Sequence, residues 1–503
     1  MKLRVCLCVF AVFFCCIGSV AIGSVLEITP RVTISESYTD NASLTENNAE
    51  SDFVTTISPS VNMAYSEKHA SVRVFYDYEY EIFESETENN SETHNAGLTG
   101  WADISKNTRL QIAQTFSRIE DPLRERDQIL FPEENIIITP DTILRRSREP
   151  YYTYNSSIDL QHQFGERDYI NFSYIFGLRE DKSEDGNNYK RHTPGVSVSY
   201  WLTPQYGMDA SVEYTRAMYD ENNTSVNTDD FNNSDDFDDV SSNVSFYRKL
   251  TRHLDAYLSY GHTVRMYKGD SVETESDYQI YSPSVGVSYQ PDKNTSVRLG
   301  VGYFYQDLET EEDEEGPFCD ANITRNWQFP RGTFSLTGSS GIDRNEFGSE
   351  NRGFERYYDL IGALSYGLTK HLSSTLSASI RRNEYINDDE DLVDNRLITS
   401  AGLIYTPSRR LTTSANYTYS MLLSESDDAN DKSGPEDDQS SFNWDLTYTA
   451  RPWLFLGLGY SYRDLNSNDS GRSAYTLNDE NHTENRIFIS VTVTPERPYR
   501  KIF

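Results

Sequence analysis

The sequence predicts an all-β fold: a transmembrane antiparallel β-barrel of about 22 strands, with short periplasmic turns, long acidic extracellular loops and no plug domain. Three observations predict it. Apolar residues recur with a period of two along the whole chain, the connections alternate between short and long, and no segment beyond the N-terminus approaches the ~20 apolar residues that a membrane helix needs.

The first element is a secretory signal. Lys2 and Arg4 precede an apolar run from Val5 to Ile17, and the small residues Ser19 and Ala21 bracket a cleavage point. Residues 1–21 are expected to be removed, leaving 22–503 as the barrel. A membrane anchor would need a longer run than this one, which ends in Gly18, Ser19 and Gly23. Four of the five cysteines (Cys6, Cys8, Cys15, Cys16) lie inside the signal, so only Cys319 remains and no internal disulfide can form. Neither Cys15 nor Cys16 follows the small residues of a lipoprotein cleavage box.

Composition narrows the class of the mature chain. With 36 Tyr, 24 Phe and only 37% hydrophobic residues, 503 residues make a poor globular core. A barrel around water resolves the tension, because alternate residues face lipid and the others face water. Removing Lys2 and Arg4 takes the formal charge from −34 to −36, which argues against nucleic acid as a partner.

The strands follow in order. Val72, Val74, Tyr76, Tyr78, Tyr80 and Ile82 alternate with Ser71, Arg73, Phe75, Asp77, Glu79 and Glu81. Ile170, Phe172, Tyr174, Phe176 and Leu178 alternate with Asn171, Ser173, Ile175, Gly177 and Arg179, and the same period of two recurs in Val196-Val198-Tyr200-Leu202, Ala256-Leu258-Tyr260, Val297-Leu299-Val301-Tyr303-Tyr305, Leu397-Thr399-Ala401-Leu403-Tyr405 and Ile487-Ile489-Val491-Val493.

Short turns are expected at Ser66 to His69, Asp103 to Lys106, Gly165 to Arg167, Thr203 to Gln205, Thr251 to His253, Pro291 to Lys293, Pro330 to Gly332, Thr369 to His371, Pro407 to Arg410 and Arg451 to Pro452. Between them run long connections rich in Asp, Glu and Asn, among them Asp220 to Asp239, Leu308 to Pro317, Glu384 to Asp394, Ser424 to Asp438 and Asp464 to Asn481. An even strand number counted from Ile28 puts both termini on the periplasmic side of a Gram-negative outer membrane, and the chain ends in the aromatic Phe503. Trp101, Trp201, Trp327 and Trp453 fall near short turns, as a periplasmic aromatic girdle would place them, and Trp444 is assigned to the outer girdle. A soluble propeller also alternates, but its turns do not segregate by length and its exposed rows are polar.

The opening stretch resembles a family. Ser35-Glu36-Ser37-Tyr38-Thr39-Asp40-Asn41 is similar to the first strand and loop of the β-barrel porin family associated with exopolysaccharide and exosortase (PEP-CTERM) gene systems. Units such as Tyr200-Trp201-Leu202-Thr203-Pro204 and Leu364-Ser365-Tyr366-Gly367-Leu368-Thr369 look like that family along the mature chain. The resemblance implies an outer-membrane barrel with a transport role and brings no catalytic residues.

The rows that would face the lumen are hydroxyls, amides and glycines: Thr153-Asn155-Ser157, Ser282-Ser284-Gly286-Ser288, Asn322-Thr324-Asn326, Ser373-Thr375-Ser377-Ser379, Thr412-Ser414-Asn416-Thr418-Ser420 and Ser490-Thr492. Among them stand Arg73, Arg109, Arg179, Arg298, Arg381 and Arg396, the expected pore-lining cations, with Arg265, Arg463 and Arg486. Asp159, Asp209, Glu213, Asp255, Asp359 and Asp445 oppose them. Such a wall suits a permeation path for a neutral or weakly charged polar solute such as a glycan. Each arginine could equally brace the wall through a cross-strand ion pair.

A barrel of 22 strands is usually plugged. The short sequence before the first strand argues against the N-terminal plug of a TonB-dependent receptor, so another element is expected to restrict the pore. The stretch Glu120 to Pro150 holds Ile129-Leu130-Phe131-Pro132 and Ile136-Ile137-Ile138 beside Arg124, Arg126, Arg145, Arg146 and Arg148. Apolar and basic among acidic loops, it is expected to fold inward as a constriction; the alternative is an outer lid or docking loop.

Neither catalysis nor a cofactor is expected. The eight histidines are scattered, and no Ser/His/Asp cluster, zinc spacing or phosphate loop occurs. Acidic runs such as Asp388-Asp389-Glu390-Asp391 lack the EF-hand pattern and read as solvated charge. The expected partners are outer-membrane lipid and lipopolysaccharide, the barrel assembly machinery, polysaccharide and periplasmic export proteins. The expected role is a channel for a polar polymer, exopolysaccharide above all. An uptake porin and a structural or adhesive barrel are the alternatives.

Overall fold

The computed structural model of the protein describes residues 24–46, 48–120, 150–181, 188–219, 236–268, 277–308, 313–344, 354–385, 393–425, 436–468 and 481–502. Within them the chain runs as successive antiparallel strands: β1 (Val25–Thr39), β2 (Asp52–Ser66), β3 (Ala70–Phe83), β4 (Ser91–Ser105), β5 (Thr108–Ile119), β6 (Tyr151–Gln163), β7 (Tyr169–Asp181), β8 (Tyr189–Thr203), β9 (Tyr206–Tyr219), β10 (Phe237–Lys249), β11 (Leu254–Tyr267) and β12 (Tyr278–Asp292). The second half continues with β13 (Thr295–Leu308), β14 (Glu314–Phe329), β15 (Gly332–Arg344), β16 (Phe354–Gly367), β17 (Leu372–Tyr385), β18 (Val393–Ser408), β19 (Leu411–Glu425), β20 (Glu436–Arg451), β21 (Leu454–Asn468), β22 (His482–Val493) and β23 (Tyr499–Ile502). Among the described residues the helical content is one 3-10 turn, Thr87–Asn89.

Each strand pairs with its sequence neighbours, and β1 closes the ring. It pairs β2 along its whole length, β22 from Val32↔Val493 to Thr39↔Arg486, and β23 from Val25↔Ile502 to Ile28↔Tyr499. β22 and β23 are therefore two halves of one last strand, and the barrel has 22 strands. The interruption has a covalent cause. Pro495 and Pro498 in the last strand, and Pro30 opposite, cannot donate ladder hydrogen bonds. Thr494 Oγ1 bridges the gap by donating to the Pro30 carbonyl at 3.1 Å.

Residues opposite one another in an antiparallel ladder point to the same face, so the register carries the facing around the ring. The alternating apolar rows point outward, where Leu258, Val301 and Ile489 are 57%, 66% and 58% exposed. Large aliphatic side chains left this open on contiguous strands belong against lipid rather than water.

The ten short turns fall where the sequence places them and sit at the end where β1 begins and β23 ends. The strands run further at the opposite end than the alternation suggests. Asp239, Pro317, Asp394 and Asp438, expected in loops, lie inside β10, β14, β18 and β20. A strand needs an apolar face only for the ~9–11 residues inside the bilayer, so these 13- to 16-residue strands protrude with polar ends.

Two of the tryptophans take the opposite facing from a lipid girdle. Trp101 shares the inner face with Arg109, whose guanidinium lies 4.1 Å from its ring, and Trp201 shares it with Gly207, with Lys249 Nζ 4.6 Å above its ring. Trp327 faces outward, stacked on Phe334 at 5.1 Å, and Trp453 is exposed in its turn. Trp444 also faces lipid, opposite Ala415 and Tyr460, but in the middle of β20 rather than at its outer end. Nearness to a turn fixes depth; the residue's parity fixes the face.

Candidate functional site: the inner wall

All six arginines expected to line the pore, Arg73, Arg109, Arg179, Arg298, Arg381 and Arg396, belong to the inner face by register. Most of the arginines on this face are braced. Arg298 meets Asp320 at 3.1 Å and lies 4.1 Å from the Tyr257 ring, while Tyr257 donates to the same carboxylate at 2.9 Å. Arg381 meets Glu355 at 2.7 Å, donates to Asn383 and faces the Tyr357 ring. Arg109 lies 3.7 Å from Asp103, and Arg179 is buried against Tyr151. Arg265 pairs with Asp239 at 3.3 Å, and Arg486 reaches Glu81 at 3.2 Å. Arg396 stands opposite Arg381 and Leu422 with no ion pair among the described residues.

Between these braces the wall is polar and small. The rows through Asn155, Ser284, Asn322, Ser377, Asn416 and Ser490 all face inward. On β1 to β4 the wall forms a recess of about 310 Å³ lined by Arg31, Thr33, Ser58, Ser60, Asp77, Tyr78, Glu79, Thr93 and Asn95. Several of these side chains are already engaged: Ser58 donates to Glu79 at 2.9 Å, Thr33 shares a hydrogen bond with Thr492 at 2.9 Å, and Ser60 hydrogen-bonds Asp77. The rest offers a guanidinium, carboxylates, hydroxyls and an amide, the donor and acceptor set that sugar hydroxyls match. Sequence reasoning placed Asp77 and Glu79 in the polar row of β3 but did not single out Arg31. The signal was there: Arg31 has the parity of Ser35 and Ser37.

At the outer mouth the opening motif closes the seam. Asp40 accepts from the Asn485 backbone N–H at 2.7 Å and from its side-chain amide at 2.8 Å. Thr39 donates to Glu484 at 2.9 Å. Asn41, fully buried, donates to the carbonyls of Thr45 and Thr483 at 2.8 and 3.0 Å. The first loop then turns over the inner face, where Ala42 packs on Val54 and Phe83.

Next to it Asp52 accepts from the backbone N–H groups of Phe53, Ser85 and Glu86. Burial pushes its carboxyl up, but these donors outweigh that and hold it below the usual carboxylate range. Glu86, in the loop, is pushed up by a hydrogen bond shared with Glu50, then by desolvation and by the charges of Glu50, Glu88 and Asp52.

The signal segment, Phe503 and the expected constriction arginines Arg124, Arg126, Arg145, Arg146 and Arg148 lie outside the described residues. Among the described residues no group of three or more His, Cys, Asp or Glu is placed to hold a metal ion.

Comparison with known proteins agrees with this architecture. Residues 20–130 match the family described as "Putative beta-barrel porin 2", and this stretch contains the Ser35 to Asn41 motif. No curated protein matches the chain in sequence. In structure the chain is similar to the FrpB iron transporter from Neisseria meningitidis (F5-1 variant), with a TM-score of 0.54 at 12% identity over 93% of this chain and 82% of that one. It is also similar to the siderophore receptor PirA from Pseudomonas aeruginosa, with a TM-score of 0.50 at 10% identity over 93% and 80%. At such identities the likeness is one of fold. The lipid-facing apolar rows, the closed 22-strand ring and the family match together identify the chain as an outer-membrane β-barrel whose residues 20–130 match that β-barrel porin family.

Proposed function

We propose that this barrel is a conduit across the outer membrane for a polar polymer, exopolysaccharide being the class that fits best. The observation that carries the reading is the inner wall, whose unbraced positions are mostly Ser, Thr, Asn and Gly, with Ile175, Ile361, Ile398 and Ile404 scattered among them, and whose recess holds Arg31, Asp77 and Glu79. Such a surface exchanges hydrogen bonds with a hydrated sugar chain without an apolar barrier. Width supports a polymer over a small solute. With 22 strands spaced ~4.8 Å and tilted ~40°, the backbone wall stands roughly 20 Å from the axis. The family match supports a channel, and the resemblance to polysaccharide-associated porins supports the cargo.

A gene deletion tests it. Cells lacking the protein are expected to accumulate polymer in the periplasm and to lose it from the surface. Normal surface glycan together with poor growth on one small solute would replace export by uptake.

A further inference from the structure

We infer that the lumen favours cations over anions, and that four carboxylates on one sector of the inner wall, Asp159, Asp209, Glu213 and Asp255, set this preference. The inference rests on the reading of the barrel as a conduit and narrows its cargo to neutral or cationic solutes.

The register brings the four together. Asp159 is opposite Ser173, Ser173 opposite Gly195, and Gly195 opposite Glu213, which puts two of the carboxylates on one row across β6 to β9. Asp209 is flanked by Ser199 and Ser245, and Asp255 by Ser288 and by Lys249, whose ammonium turns away to the Trp201 ring. Asp209 and Glu213 are exposed to the lumen; Asp159 and Asp255 are half-buried. Asp159 accepts a hydrogen bond from Asn171 at 3.4 Å, and none of the four has an Arg or Lys within ion-pair distance among the described residues. The cations of this sector sit at its rims. Lys249 and Arg167 lie over the Trp201 ring at the periplasmic end, while Arg179 and Arg191 stand at the loop end.

A second observation concerns the rest of the ring, where positive charge is largely cancelled. Arg109, Arg265, Arg298, Arg381 and Arg486 are each held against a carboxylate. Arg31 shares its recess with both Asp77 and Glu79. Arg396 and Arg463 have no ion pair among the described residues, and both lie toward the loop ends of β18 and β21. The sign of the field in the middle third therefore falls to the unpaired carboxylates, with Asp445 on β20 adding to them, while Lys249 and Arg167 oppose them at the periplasmic rim. Rings of Asp and Glu give channels cation preference in this way.

Magnitude decides where the effect is visible. The screening length is ~30 Å at 0.01 M salt, ~10 Å at 0.1 M and ~3 Å at 1 M. Against a wall roughly 20 Å from the axis, the field fills the bore only at low salt. The full-length barrel in a planar bilayer under a KCl gradient is expected to pass K⁺ over Cl⁻ by about threefold or more near 0.01 M, falling to about one by 1 M. The quadruple variant Asp159→Asn, Asp209→Asn, Glu213→Gln, Asp255→Asn should conduct with a ratio near one throughout. Should it fail to assemble, the pair Asp209→Asn, Glu213→Gln, both lumen-exposed, should lower the ratio. Anion preference or no preference in the natural barrel at low salt overturns the inference and leaves the conduit standing. An assembled variant with unchanged selectivity overturns the assignment to these residues. Absence of any conductance overturns the conduit itself.

Discussion

Tyr257 illustrates how single residues shape the lumen. Inner-face aromatic side chains occupy the space above glycines of neighbouring strands: Phe75 over Gly97, Trp201 over Gly207, the Tyr257 hydroxyl over Gly286 and Gly300, Phe318 over Gly302, and Phe488 over Gly459. A glycine inside a strand is destabilising on its own account, and a ring packed across the bare backbone offsets this. At Gly300 an added Cβ would collide with the Tyr257 hydroxyl, which is the group that holds Asp320 and, through it, Arg298. Gly300→Ala should therefore destabilise the barrel by about 1–3 kcal/mol. Gly362→Ala, where the nearest atoms to a new Cβ lie at 3.9 and 4.0 Å, should change stability by less than about 0.5 kcal/mol. Urea titration of both refolded variants in detergent checks the pair, and equal stabilities would mean that the ring does not depend on the glycine. At this scale the sequence told which side chains face inward but not whom they meet. Arg486 finds Glu81 across two intervening strands, and Tyr257 finds Asp320 across two others. Alternation along one strand carries no information about such partners.

At the scale of a strand, alternation carries nearly everything. Val198 pairs with Ile170 and Ala210 on the lipid face, and Ser197 pairs with Asn171 and Ser211 on the lumen face. A charge placed on these neighbours meets opposite solvents. Val198→Arg is expected to cost roughly 2–4 kcal/mol, the range for arginine near the bilayer midplane of such barrels, while Ser197→Arg should assemble nearly as well as the natural chain. Comparing the folded fraction of the two variants in isolated outer membranes checks this, and equal tolerance would contradict the facing. Strand ends were less legible than strand middles. Outside the bilayer the apolar row stops being required, so Asp239, Pro317, Asp394 and Asp438 looked like loop residues while the ladder continued through them.

For the whole molecule the decisive contact is closure, because a barrel has no edge only if the last strand finds the first. The Tyr38 to Asn41 motif acts at that seam: Asp40 clamps Asn485 through two hydrogen bonds, and Asn41 ties the first loop to Thr483. Hydrogen bonds to a charged acceptor are worth about 1.5–3 kcal/mol when well shielded. Asp40 is only half-buried, so Asp40→Ala should cost about 1–2 kcal/mol. The folded barrel should then convert to its slow-migrating denatured form on SDS gels at a lower temperature than the natural protein. An unchanged transition would show that backbone pairing alone holds the seam.

By itself the sequence determined the barrel, its approximate strand number and the positions of its turns. These follow from a period of two, from turn chemistry and from the need to present apolar side chains to lipid, and each can be read within a few consecutive residues. The tertiary structure alone decided the rest: the seam clamp formed by the opening motif, the turning of Trp101 and Trp201 into the lumen beside Arg109 and Lys249, and the sector where Asp159, Asp209, Glu213 and Asp255 stand without an ion pair among the described residues. The physical reason is that these depend on which residues of other strands come opposite. That depends on the register, which hydrogen bonds and strand tilt set around the closed ring rather than along any one segment.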